Sequence, residues 1–304
     1  SQRIALQPVL APVNKEGQAT LEIDPSWVIL VTGGAQGITA DVACELAKRY
    51  QPTLLLVGRS PLPESEESEK TAGLEGKELK AVLAARMRRE GQTVTPAQVK
   101  TAYTRLLKDR EMRSNIAAMH SYGARVQYYQ ADVRDEEALG NLIEKIYQSY
   151  GRLDGVIHGA GIIEDKLVRD KTPESFDRVF DTKVDSALIL SRKLRPDSLK
   201  FLAFFSSVAG RFGNRGQCDY TAANEVYNKL AIYLDSRWPG RVVSVIWSPW
   251  ARAGGMVSPE LQKQFAKAGI VLIPRPVGPR KLDEELRYGG KGEAEVIIGD
   301  NKMG

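Results

Sequence analysis

Hydrophobic residues in this chain gather into short unbroken runs separated by longer amphipathic stretches. The runs are Trp27–Val31, Thr53–Val57, Arg125–Gln130, Leu153–Ile157, Leu199–Phe205, Val242–Trp247 and Glu295–Ile298. Runs of Val, Ile, Leu and Phe, without polar alternation, mark strands buried on both faces of a parallel sheet. Helix-length segments lie between them at about 38–50, 136–150, 173–193, 218–237 and 258–268. Strands and helices alternating at this spacing predict an α/β fold: a Rossmann-like, doubly wound parallel sheet of about seven strands with right-handed crossovers.

Two regions break the alternation. Residues 1–26 are polar and Pro-containing, with a weak strand signal at Ala19–Ile23. Residues 60–120 are far longer than a crossover between the second and third strands requires. They read as an acidic, Pro-containing loop followed by two or three helices: Gly76–Glu90, Pro96–Arg110 and a candidate third, Glu111–Tyr122. Thr95 before Pro96 is a good helix start, with the threonine as cap and proline in the first turn. The insertion has too few apolar residues for a core of its own, so residues 27–304 read as one domain carrying a helical excursion.

Composition narrows the classes. At 304 residues, with 42% hydrophobic and 27% charged residues, the chain reads as an ordinary globular protein. It has no apolar run near the ~20 residues of a membrane span and no signal-peptide pattern, so the expected location is cytoplasmic. Cys44 and Cys218 fall in helical stretches and read as small buried residues rather than a disulfide; no metal-ligand spacing is present. The net charge is only +5, but residues 77–125 hold about eleven Lys and Arg against about four acids. That segment is either a solvated helical face or a docking surface for an acidic partner. No aromatic–basic interleaving accompanies it, which argues against nucleic acid.

The chemistry sits at the strand ends. Val31–Thr39 carries Gly33, Gly34, Gln36, Gly37 and Ile38 between the first strand and the first helix. Glycines there let backbone N–H groups approach a pyrophosphate at a helix N-terminus. The second strand ends in Arg59 and Ser60. A basic residue at this position suits a 2′-phosphate, so NADPH is favoured over NADH. Asp132 and Val133 end the third strand, where the carboxylate can accept from an adenine amino group. Gly159, Ala160 and Gly161 end the fourth and leave room for ribose and nicotinamide, with His158 as wall rather than acid.

Ser207 and Tyr220 stand thirteen positions apart, at the end of an apolar run and the start of a helix. Reduction of a ketone builds charge on the carbonyl oxygen, which needs a hydrogen-bond donor and then a proton. Ser207 can hold that oxygen, and Tyr220 can donate if a cation lowers its pKa from about 10. The position one helical turn after Tyr220 is Asn224 rather than lysine; the candidate cation is Lys183, on the helix after the fourth strand.

The motifs Thr32–Gly37, His158–Gly161, Phe205–Gly210, Gly216–Asn224 and Trp247–Trp250, in this order, resemble the ketoreductase domains of type I polyketide and polyunsaturated fatty acid synthases, a branch of the short-chain dehydrogenase/reductase superfamily. In that branch lysine and asparagine exchange places, which implies a catalytic set of Tyr220, Ser207, Lys183 and Asn224. The resemblance implies NADPH-dependent reduction of a β-ketoacyl thioester held on the phosphopantetheine arm of an acyl carrier protein, alongside other domains of a multienzyme. Lys183, Tyr220, Pro249 and Trp250 would join the cofactor contacts, although Trp250 could equally line the entrance or cap the core. Asp165, Phe212, Gln217 and Met256 would govern stereochemistry. The Ile163–Glu164–Asp165 triplet and Phe212 in place of tryptophan imply B-type handling and a 3R hydroxyl. A lid helix is expected at Ser258–Ala268, and residues 1–26 would be the remnant of a structural subdomain. The chain departs from the family pattern at Gln36 and Thr39, where glycine is usual. A free-standing reductase of soluble ketones and a non-catalytic dinucleotide-binding domain are the alternatives.

Overall fold

The computed structural model describes residues 7–299 except 12, 14–16, 18, 64–66, 93, 252–265 and 268–269. Its strands are β1 (Val28–Thr32), β2 (Thr53–Gly58), β3 (Arg125–Gln130), β4 (Gly155–His158), β5 (Phe201–Ser207), β6 (Arg241–Trp247), β7 (Trp250–Ala251), β8 (Ile273–Pro274) and β9 (Glu295–Ile298). Seven of them form one parallel sheet in the order β3-β2-β1-β4-β5-β6-β9. The short β7 and β8 pair in a separate ribbon. The order reverses between β1 and β4, the switch point at which open α/β sheets bind ligands beyond their strand C-termini.

Alternate strand residues feed two core layers. Ile29, Val31, Leu54 and Leu56 pack with helices α1 (Gly37–Tyr50) and α3 (Pro96–Ser121), and with the last helix described, Val277–Tyr288. Val28, Leu30, Leu55 and Val57 pack on the other face, with α4 (Glu136–Tyr150), α5 (Pro173–Lys193) and α7 (Cys218–Asp235). Between α5 and α7 the short α6 (Val208–Phe212) follows β5, and Val277–Tyr288 is therefore α8. Each fully buried aliphatic side chain contributes roughly 1.5–3 kcal/mol, so both faces hold the sheet. β3 is the exception to the continuous apolar pattern: as an edge strand it is exposed and half-buried by turns.

The insertion comprises α2 (Gly76–Arg89) and α3. The candidate third helix is not a separate element: α3 runs unbroken for 26 residues, because no glycine or proline interrupts the Arg110–Glu111 junction. Thr95 and Gln98 close a capping box at its start. Met112 and Met119 enter the core layer beside α1, so the insertion borrows the domain's core. Ala19–Ile23 is not a strand: the Thr20 and Leu21 N–H groups donate to the Arg287 carbonyl in the last turn of α8. Cys44 and Cys218 are free and half-buried rather than buried. The expected lid segment lies almost wholly outside the described residues, and Met256 lies outside them. Among the described residues no helix is long and apolar enough to cross a membrane.

Candidate active site

A cleft of about 210 Å³ opens at the C-terminal edge of β1, β2, β3 and β4. Its walls include Gly33, Gln36, Arg59, Ser60, Asp132, Val133, Ala160 and Gly161, eight of the expected cofactor positions. Gly33 adopts φ +75, and a Cβ there would meet the Gly159 carbonyl oxygen at 3.1 Å. Gly37 adopts φ +67 at the start of α1. These left-handed glycines keep the loop tight and its rim free of side chains, and the residues present fit a dinucleotide. Gly34 differs: a Cβ there would meet Val31 at 2.7 Å, so it serves helix–strand packing. Ile38 packs against the same core layer.

The departure at Thr39 has a local counterpart. Gly159 lies so close that an added Cβ would collide with the Thr39 hydroxyl and methyl. The lost glycine of the loop is compensated by the glycine after β4. Asp132 is already engaged by the Arg134 guanidinium at 2.7 Å, which holds its carboxyl below the usual range.

His158 does not line the cleft. It is fully buried, with Thr32 Oγ1 2.6 Å from Nδ1 and Ser186 Oγ 2.8 Å from Nε2. Burial, with Lys183 nearby, pushes its pKa down to about 3, so it is a neutral core residue. Trp250 takes the core-capping place: it is 5% exposed, packs edge-on against Trp247 at 5.0 Å, and fills the space left by Gly278. Neighbouring Pro249 accepts at its carbonyl from the Ile273 N–H in the β7–β8 ribbon.

Beyond the cleft, three elements bring Ser207, Tyr220, Asn224 and Lys183 together. Ser207 ends β5 and caps α6, its hydroxyl accepting from the Ala209 N–H at 3.2 Å. Tyr220 lies in the first turn of α7. Lys183 reaches in from α5 with only 3% of its surface exposed. Its Nζ donates to the Phe205 carbonyl at 2.9 Å and stands 5.5 Å from the centre of the Tyr220 ring. Gly161 leaves the space: a Cβ there would meet Lys183 Cε at 3.2 Å. Burial lowers the Lys183 pKa to about 7. Burial raises that of Tyr220, while the Asn224 and Ser207 side chains act the other way by favouring its ionised form. Asn224 donates from Nδ2 to the Tyr220 carbonyl at 2.7 Å, leaving its buried Oδ1 without a partner among the described residues.

The sequence reading missed the residues that seat this group. Asp219 takes the Tyr220 N–H on one carboxylate oxygen at 2.8 Å and pairs with buried Lys171 through the other. Lys171 also donates to the Glu164 carbonyl at 2.7 Å, tying the 163–165 loop to the start of α7. An acid in the first turn of a helix carries a faint signal; its lysine partner, 48 residues away, carries none. On the same loop Asp165 accepts twice from Gln217 Nε2, at 3.0 and 3.1 Å. Phe212 stands 48% exposed at the end of α6.

The model of the KR domain matches residues 28–252. One component of the polyunsaturated fatty acid synthase of a Thraustochytrium species is 32% identical over 291 residues, covering 93% of this chain and 10% of that protein. Polyketide synthase PksN of Bacillus subtilis is 30% identical over 280 residues, covering 90% of this chain and 4% of that protein. The crystal structure of a ketoreductase domain from the bacillaene assembly line superposes with a TM-score of 0.72 at 29% identity, covering 94% of this chain and 59% of that one. With the family model spanning most of the sheet and these relatives aligned along nearly all its length, the chain belongs to the KR domain family of polyketide and polyunsaturated fatty acid synthases, short-chain-type oxidoreductases that take a nicotinamide dinucleotide.

Proposed function

We propose that residues 27–304 form an NADPH-dependent β-ketoacyl reductase with B-type stereochemistry, residues 1–26 being an extension from a structural subdomain. The observation that carries the reading is the burial of Lys183 beside Tyr220, with the Ser207 and Asn224 side chains both favouring the ionised phenol. A lysine at 3% exposure, with its pKa lowered to about 7, is costly to keep, and such perturbed groups cluster at functional sites. When bound, the nicotinamide cofactor supplies hydride. Gly33, Arg59, Asp132, Val133 and Gly161 would hold it, with Arg59 favouring a 2′-phosphate. Ser207 would hold the ketone oxygen and Tyr220 would hand it a proton. Lys183 would offset the charge left on the phenolate, and Asn224 Oδ1, without a partner among the described residues, would accept a hydrogen bond from the group that resupplies the proton. Asp165, held by Gln217, supports the assignment of a 3R product.

An acyl carrier protein would deliver the substrate. Supporting this, a groove of about 570 Å³ between α2 and α3 is lined by Lys80, Arg88 and Lys100 around Val94, Val99 and Tyr103, suited to an acidic amphipathic helix. The test is NADPH consumption on carrier-bound and free β-ketoacyl thioesters, with chiral analysis of the product. Tyr220→Phe should lose about 10²- to 10⁴-fold in turnover; a variant as active as the parent would sink the mechanism. Charge reversal at Arg86, Arg88 and Arg89 should slow carrier-bound turnover alone, and unchanged turnover would exclude docking at this face.

A further inference from the structure

Helix α3 of the insertion grips the glycine-rich loop at three consecutive residues. Asn115, buried, donates from Nδ2 to the Ala35 carbonyl at 2.9 Å. Gln36 donates from Nε2 to the Lys108 carbonyl at 3.0 Å, and Glu111 Oε1 accepts the Gly37 N–H at 3.0 Å. The charge of Glu111 is offset by the nearby Arg275 guanidinium. Lys108, Glu111, Met112 and Asn115 follow one another at i, i+3, i+4 and i+7, one stripe of the helix. With α3 seated in this way, Lys108 lines the cofactor cleft together with Arg59 and Ser60. Neither the Lys108 ammonium nor the Arg59 guanidinium makes a hydrogen bond or ion pair among the described residues. Gln36, expected to touch the cofactor, spends its amide on α3.

Two cations that hold no carboxylate in a hydrogen bond or ion pair among the described residues, Arg59 acting on Asp132 only through space, stand on the wall that receives the adenosine end of a dinucleotide and suit a dianionic phosphate. We infer that Lys108 is a specificity-determining cofactor residue, acting with Arg59 on the 2′-phosphate, and that the helical insertion is thereby part of the dinucleotide site. This rests on the NADPH reading and names a residue that no glycine-rich-loop pattern contains. Lys108 is exposed and on a helix surface, so its variants keep the fold. The test is calorimetric titration of the purified domain with NADP⁺ and with NAD⁺, which reads binding without turnover. Lys108→Met should weaken NADP⁺ binding about ten-fold, the worth of one charge-assisted contact, and leave NAD⁺ binding unchanged. Lys108→Arg should retain the preference. Unchanged NADP⁺ affinity in Lys108→Met, alongside a loss in Arg59→Met, overturns the role of Lys108 and leaves the NADPH reading standing. If Arg59→Met also leaves the NADP⁺ to NAD⁺ ratio untouched, the NADPH reading falls and the inference falls with it.

Discussion

The two halves of the sheet hold their polar groups in opposite ways. On the β4–β5–β6 side Lys183, Asn224 and Asp219 are all buried, and each is tied to main chain: Lys183 to the Phe205 carbonyl, Asn224 to the Tyr220 carbonyl, Asp219 to the Tyr220 N–H. On the β1–β2–β3 side Arg59 stays exposed, Asp132 is paired in advance with Arg134, and the loop is braced from outside by α3. The difference follows from the chemistry each side must do. A reacting proton needs a dry site with shifted pKa values, whereas a phosphate needs solvated cations that give up little when it arrives.

The sharpest break in that contrast is Lys183→Met, which should cut turnover about 10²- to 10⁴-fold. Its stability signature has a definite sign. The folded-state pKa, about 7, lies below the ordinary 10.5, so between these values the unfolded chain binds more protons and stability rises with pH. The burial penalty is complete below pH 7 and fades toward pH 10.5. Urea unfolding at pH 7 and pH 10 should therefore show a rise in the parent that is diminished in Lys183→Met. An equal rise in both would mean that Lys183 is not the dry cation.

Much of this contrast is legible in the sequence, for physical reasons that differ by region. The strands and the β1–α1 loop announce themselves because burial on both faces and tight turns dictate residue type locally. Ser207, Tyr220 and Asn224 lie within one short stretch, so their grouping survives as spacing. The clamp on the loop does not, because Gly37 and Glu111 are 74 residues apart and meet only through the fold. Trp250 and His158 show the same limit: whether a strand-end aromatic or histidine meets a ligand or the core is decided by long-range packing, which buries both. Helix α8 was missed because Pro276, Gly278 and Pro279 mask its start, although proline is tolerated in a first turn.

The Lys171–Asp219 pair gives the next largest effect, since it anchors the reactive side. Breaking a buried ion pair by removing one partner costs about 3–5 kcal/mol. Lys171→Met should lose that much in urea unfolding, and turnover should fall because the Tyr220 N–H loses a fixed acceptor. The double variant Lys171→Met/Asp219→Asn should regain part of the loss by removing the orphaned charge. A fully additive double variant would mean that the two groups do not act as a pair.

The smallest effect tests the seam where the halves meet. Gly159 follows β4 and Thr39 sits in the first turn of α1, and the absence of a Cβ on one makes room for the β-branched side chain of the other. Gly159→Ala should cost about 1–3 kcal/mol, because a stiff threonine rotamer in a helix cannot swing aside. Thr39→Gly alone should cost about 1 kcal/mol, the ordinary penalty for glycine within a helix. Combined, the two changes exchange glycine between the positions and restore the usual glycine of the loop. The double variant should therefore be more stable than the sum of the singles by about 1 kcal/mol, measured as a coupling energy in a denaturation cycle. Dinucleotide affinity should follow the same order, falling in Gly159→Ala and returning in the double variant. Independent, additive losses would show that position 39 tolerates threonine for a reason unconnected with Gly159, and that the two halves do not share this contact.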